Sequence, residues 1–126
     1  MKLREVISAI ESKVICGGDG ERDISGVIAG DLLSFIIGEA GEGEIWITIQ
    51  THLNVAAVAV LKELPMLILA SGREPSAELA DKCRLENIAV VVVKESAYEV
   101  CAKLHGLLNL NFRSRAGSAV ASLCSQ

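Results

Sequence analysis

The sequence predicts an α/β domain of three layers, α/β/α, around a mainly parallel sheet of about five strands. Three observations predict it. Short apolar segments alternate with longer segments of helical spacing along most of the chain. Two of the short segments, 66–70 and 88–93, are apolar without interruption. Central strands covered on both faces have that pattern. Third, the stretch 44–64 joins an alternating strand to a helix with no polar face, and such a helix must be covered on most sides.

Each element can be justified in order. Leu3, Val6, Ile7 and Ile10 lie at i, i+3, i+4 and i+7, which predicts a first helix over 2–12 with one apolar stripe. Val14 to Cys16 is a short strand. Gly17-Gly18-Asp19-Gly20 then forces a turn. Backbone amides in such a cluster can cradle an anion. Here no Lys-Ser/Thr follows, so a plain loop is the better reading. Residues 24–30 form the second strand, centred on Val27, Ile28 and Ala29. Asp31 is placed to cap a short helix containing Leu32, Leu33, Phe35, Ile36 and Ile37. Gly38, Gly41 and Gly43, interleaved with Glu39, Glu42 and Glu44, end it in an acidic loop.

In the strand 44–50, Ile45, Ile47 and Ile49 point one way and Trp46, Thr48 and Gln50 the other. A polar turn, Thr51-His52-Leu53-Asn54, leads into the helix that runs to about Leu64. Its residues Val55 to Leu61 are apolar all round, so it is either the buried centre of the fold or, in part, a surface that a second subunit covers. Pro65 stops it. Strand 66–70 exits through Ser71 to Ser76, with Pro75 suited to the first turn of a helix over 76–86. Strand 88–93 is followed by Ser96-Ala97-Tyr98-Glu99, the Ser-x-x-Glu form of a capping box. Val100, Cys101, Leu104, Leu107 and Leu108 then keep helical spacing. One domain is expected over 1–108, and a loosely ordered tail over 109–126.

Composition narrows the function classes. The chain is 51% hydrophobic, enough for a substantial core in 126 residues. Its net charge of −4 and lack of a basic patch argue against nucleic acid. Aromatics at 3% leave few platforms for stacking bases. Every apolar run falls short of a membrane span. The start, Met1-Lys2-Leu3-Arg4-Glu5, lacks the apolar core of a signal peptide, so a cytoplasmic protein is expected. Cys16, Cys83, Cys101 and Cys124 form no Cys-x-x-Cys pair. That gives no zinc or redox motif, and buried reduced thiols are expected. No cofactor is indicated.

Ligands of open α/β sheets bind outside the carboxyl ends of the strands. Those ends supply four clusters: Gly30-Asp31, Thr51-His52-Asn54, Ser71-Gly72-Arg73 and Lys94-Glu95-Ser96. Adjoining helix N-termini favour an anionic group. Arg73 can pair bidentately with a phosphate or carboxylate, Asp31 can accept from hydroxyls or amines, and His52 can donate to the same ligand. Simpler readings compete. Asp31 and Ser96 serve as helix caps, Thr51 and Asn54 satisfy backbone groups at a helix start, and His52 is a structural hydrogen-bonder or sits at a subunit contact. Arg73 is the residue that structure explains least, because a strand-exit loop needs no guanidinium. No hydrolase, zinc-protease or P-loop signature is present. An enzyme would have to use His52 as base beside Asp31 or Thr51.

The segments Lys13-Val14-Ile15-Cys16-Gly17-Gly18, Gly26-Val27-Ile28-Ala29-Gly30-Asp31-Leu32-Leu33-Ser34, Trp46-Ile47-Thr48-Ile49-Gln50-Thr51-His52-Leu53-Asn54-Val55 and Ile68-Leu69-Ala70-Ser71-Gly72-Arg73-Glu74-Pro75 resemble stand-alone DRTGG-domain proteins. The similarity spans 1–108. The family's Thr-Gly-Gly after the central strand stands here as Ala70-Ser71-Gly72, with Ser71 in place of the Thr hydroxyl. The resemblance implies a fold similar to the N-terminal domain of HPr kinase/phosphorylase. It also implies a regulatory or architectural role, dimerisation, and no catalytic residue. The expectation is a non-catalytic, homodimeric regulatory domain whose strand ends take a small anionic metabolite or nucleotide. The alternative is a protein–protein interaction and dimerisation module without a ligand.

Overall fold

A computed structural model of the chain describes residues 1–116, and the side chains of residues 1–108. The element order is α1 (Leu3–Ala9), β1 (Lys13–Cys16), β2 (Gly26–Ala29), α2 (Leu33–Glu39), β3 (Glu44–Thr48), α3 (Leu53–Leu61), β4 (Met66–Leu69), α4 (Ala77–Leu85), β5 (Ala89–Val92) and α5 (Ala97–Ala116). This is the predicted alternation. Helix α5 runs past Asn109 into the stretch assigned to a loose tail, and 117–126, with Cys124, lie outside the described residues.

The five strands form one sheet in the order β1-β5-β4-β3-β2. Strands β2 to β5 are parallel, and β1 pairs antiparallel with β5 through a register shift between Val14 and Cys16. The apolar strands β4 and β5 are interior, as expected. Strands β1 and β2 follow each other in sequence but occupy opposite edges, so the loop 17–25 crosses the whole amino end of the sheet. It is stitched down on the way. The Leu3 amide donates to the Arg22 carbonyl (2.9 Å), the Ile24 amide to the Met1 carbonyl (2.9 Å), and the Arg22 guanidinium to the Glu63 carbonyl (2.9 Å).

Alternation along the strands builds two cores. Trp46, Leu67, Leu69, Val90 and Val92 face Ile36 of α2, Val55, Ala56, Val58 and Ala59 of α3, and Leu79 and Cys83 of α4. Ile45, Ile47, Met66, Ile68, Ala89 and Val91 face Leu3 and Val6 of α1 and Val100, Leu104 and Leu108 of α5. The result is the predicted α/β/α sandwich. Helices α3 and α4 end alike. Glu63 (φ 56°) and Asn87 (φ 55°) turn left-handed, and the next amides, Leu64 and Ile88, donate back to the carbonyls of Ala59 and Cys83 at 2.9 Å. These are Schellman closures, so α3 is already terminated before Pro65.

The cysteines are free thiols at Cys16, Cys83 and Cys101. Burial pushes the Cys83 thiol up to about 12, with Cys16 adding to the shift. Cys16 donates to the Ile88 carbonyl (3.3 Å).

The glycine cluster has a packing explanation rather than a ligand-binding one. Gly18 is left-handed (φ 63°), and a Cβ there would stand 2.6 Å from the Ala89 amide nitrogen. A Cβ on Gly17 meets nothing within 4 Å. Equilibrium urea unfolding is therefore expected to show Gly18→Ala destabilised by about 1–3 kcal/mol. Gly17→Ala is expected to stay within about 0.5 kcal/mol of wild type.

Candidate functional site

The carboxyl ends of β2 to β5 lie along one edge of the sheet, and the four predicted clusters line it in the order of the strands. Hydrogen bonds join each strand exit to its neighbour. At the first junction, the Thr48 hydroxyl donates to Asp31 Oδ1 (2.8 Å) and the Ile49 amide donates to the same oxygen (3.0 Å). Thr48 Oγ1 in turn accepts from the Gln50 amide (3.1 Å). Asp31 is therefore no helix cap. Residue Leu32 occupies the cap position of α2 and makes no side-chain cap bond. The carboxylate reaches sideways to the neighbouring strand because β3 ends at Thr48 and leaves the next amides without ladder partners. Behind this junction, Trp46 Nε1 donates to the Gly30 carbonyl (2.8 Å).

At the second junction, Thr51 is half-buried and its carbonyl accepts from the Ser76 amide (3.0 Å), which draws the Arg73 to Ser76 loop against the start of α3. His52 occupies the cap position of α3 and its side chain makes no cap bond. His52 and Asn54 are exposed. The expected side-chain capping by Thr51 and Asn54 is absent: the Val55 amide donates back to the His52 carbonyl (3.0 Å), and no described side chain accepts from the Leu53 and Asn54 amides. The other two long helices differ. Ser76 Oγ accepts from the Leu79 amide (3.1 Å) at α4. Ser96 and Glu99 form the predicted capping box at α5, the Glu99 amide donating to Ser96 Oγ (3.2 Å) and the Ser96 amide to Glu99 Oε1 (3.3 Å). Ser76, rather than Pro75, begins the α4 turn.

The third junction joins β4 to β5. Ser71 (φ 58°) and Gly72 (φ 67°) are both left-handed. Their amides donate to the carbonyls of Glu95 (2.7 Å) and Val93 (2.8 Å), and the Arg73 amide donates to the Ala70 carbonyl (3.2 Å). These three donors are spent on the fold. The Arg73 guanidinium is exposed and forms no ion pair with the described residues.

A cleft of about 440 Å³ opens beside this junction, lined by Glu11, Ser12, Lys13, Gly72, Glu74, Val92, Lys94 and Glu95. Its position has a topological cause. The chain leaves β4 toward α4 on one face and leaves β5 toward α5 on the other, so the two exits diverge. Of the four predicted clusters, Gly72 of the third and Lys94 and Glu95 of the fourth line it, whereas Asp31, Thr51, His52, Asn54, Ser71, Arg73 and Ser96 do not. Lys13 pairs with Glu74 (3.0 Å), and Lys103 pairs with Glu95 (2.6 Å) and holds that carboxyl below its ordinary range. With Lys103 counted, three carboxylates (Glu11, Glu74 and Glu95) stand against three ammonium groups (Lys13, Lys94 and Lys103), so the cleft carries no surplus positive charge.

Sequence reasoning missed Thr48 and the Glu11 to Lys13 wall of the cleft. Thr48 is the buried polar side chain of the described core. Its signal was a hydroxyl on the core-facing side of an otherwise apolar strand. Among the described residues, neither His52 nor His105 hydrogen-bonds to a hydroxyl, thiol or carboxylate, and no group of side chains is arranged to hold a metal ion. No described helix is long and apolar enough to cross a membrane.

Unfolding of Thr48→Val, Asp31→Ala and the double variant tests the first junction. Each single change is expected to cost about 1–3 kcal/mol, with a coupling of at least about 0.5 kcal/mol. Additive losses would mean that the two side chains act independently.

No family model matches the sequence, and no curated protein matches it. The fold does match a solved structure, that of the CBS and DRTGG domains of the regulatory region of Clostridium perfringens pyrophosphatase, complexed with the activator diadenosine tetraphosphate. The TM-score is 0.62 at 15% identity, over 80% of this chain and 44% of that one. This chain thus corresponds to less than half of the length of that regulatory region. The likeness is one of fold: the three-layer domain described above has the DRTGG-domain fold that the sequence resemblance implied.

Proposed function

We propose that this chain is a non-catalytic regulatory domain, homodimeric, that senses a small anionic metabolite, with nucleotides the first class to consider. The observation that carries the ligand part is the second junction. An α3 N-terminus without a side-chain cap lies against the loop that bears Arg73, and no described carboxylate neutralises that guanidinium. The Leu53 and Asn54 amides, a positive helix end and a fork of five donors are the parts an anion needs. His52 stands at the same turn as a further donor. The fold likeness agrees with this reading, since the neighbouring structure is a regulatory region held with a nucleotide activator.

The geometry also limits how such a ligand is held. The Ser71 and Gly72 amides are already bonded to the β5 exit, so a phosphate cannot use them without breaking two backbone bonds of 2.7 and 2.8 Å. The anion would rest on Arg73, His52 and the first turn of α3. Asp31 supports the floor through Thr48 and Ile49. The cleft beside Lys94, with its charges balanced, suits an uncharged part of the same molecule better than a second phosphate.

A second reading, an interaction and dimerisation module with no small ligand, is favoured by one observation. The outward side of α3 is apolar, with Leu53, Val60 and Leu61 exposed. Thermal-shift titration with mono- and dinucleotides and phosphorylated metabolites separates the two. At least one ligand is expected to stabilise wild type by about 2–3 kcal/mol at a hundredfold excess over its Kd. Arg73→Ala is expected to weaken binding about 10- to 100-fold. If none stabilises wild type and Arg73→Ala behaves identically, the ligand part fails and the second reading stands.

A further inference from the structure

We infer that the outward stripe of α3 is covered by a second copy of this chain, the two α3 helices lying antiparallel across a twofold axis near Ala57. The inference rests on the homodimer reading above and names its surface. Val55, Ala56, Val58 and Ala59 take the sheet side of α3. Leu53, Ala57, Val60 and Leu61, at i, i+4, i+7 and i+8, form the opposite side. Leu53 is 48% exposed, Val60 37% and Leu61 65%. A surface helix of a monomer carries charged residues on that side; here there are none, and Asn54 at its margin is the one polar side chain.

The occupant follows from charge and topology. Helix α3 lies between α2 and α4 on its face, and α1 and α5 are on the other face of the sheet, so no described helix can cover it. Across a twofold axis every side chain near the axis meets its own copy. A charged residue there would oppose itself, and a stripe free of charge is what such a contact requires. Leu53–Leu61 contains no Asp, Glu, Lys or Arg. A charged partner protein would find nothing on this stripe to pair with. Antiparallel packing sets the positive N-terminal end of one α3, without a side-chain cap, beside the C-terminal end of the other, where Glu63 is exposed. Parallel packing would bring like ends together.

Sedimentation equilibrium of the full chain at about 50 µM tests this. Wild type is expected at twice the 13.3 kDa subunit mass. Ala57→Glu and Ala57→Lys, both at an exposed position, are each expected to raise the dimer Kd at least about 100-fold, because each charge meets itself at the axis. Mixing the two variants is expected to restore a dimer, which a misfolded variant cannot do. A monomeric wild type overturns both this surface and the homodimer reading. A wild-type dimer that Ala57→Glu and Ala57→Lys leave intact overturns this surface alone. Whether a nucleotide binds at Arg73 is read separately, by the thermal-shift titration.

Discussion

Burial of both faces of one parallel sheet governs the rest of this molecule. Strands β3, β4 and β5 are buried on both sides, and all but Glu44 and Thr48 of their residues are apolar, so each face needs its own layer of helices. Successive crossovers in one direction across a parallel sheet, with one hand, deliver their helices to one side. Helices α2, α3 and α4 are those crossovers, and they fill one face. Only the helices at the two ends of the chain, α1 and α5, remain for the other. Two consequences follow. Helix α3, the middle crossover, is held between two neighbours. The exits of β4 and β5 part toward opposite faces and leave a cleft between them.

The strand ends are built less for a backbone cradle than the glycines and hydroxyls suggest. Backbone donors released at the end of a parallel sheet must find acceptors. Here each finds one in the next strand's exit: Asp31 for Ile49, the carbonyls of Val93 and Glu95 for Gly72 and Ser71. The polar groups left over are side chains and the Leu53 and Asn54 amides that open α3. A ligand would therefore be selected by Arg73 and its surroundings, not by a preformed nest of amides.

Much of this was legible in the sequence, and the failures share a cause. Alternation over Ile45 to Thr48 gave the two faces of β3 correctly, and unbroken apolarity gave β4 and β5 as interior strands. Ser96 and Glu99 were read as a capping box because both partners lie within one turn. Asp31 was misread for the same reason in reverse. A cap is a local explanation, whereas its true partners, Thr48 and Ile49, lie 17 and 18 residues on. The edge positions of β1 and β2 were equally hidden, since the antiparallel pairing of β1 with β5 spans most of the chain. The cleft depends on which face α4 and α5 take, and no residue encodes that by itself. Local chemistry can be read residue by residue. Contacts between distant strand ends require the topology first.

The unbroken apolarity of α3, read from sequence as either a buried centre or a subunit surface, is divided between the two. Its sheet-facing side belongs to the core. Its outward side is the surplus that core formation does not explain. The same helix presents its first amides, free of a side-chain cap, beside the Arg73 loop, so one rigid element of nine residues carries both the proposed ligand end and the proposed interface. Linkage then constrains the pair. If dimerisation changes the affinity for an anion at the α3 N-terminus, the anion must change the dimer affinity by the same factor. The proposed antiparallel arrangement would supply a physical route, because it would set the N-terminal end of one α3 beside the C-terminal end of the other. An anion at the first turn would alter the field at that junction in both subunits at once.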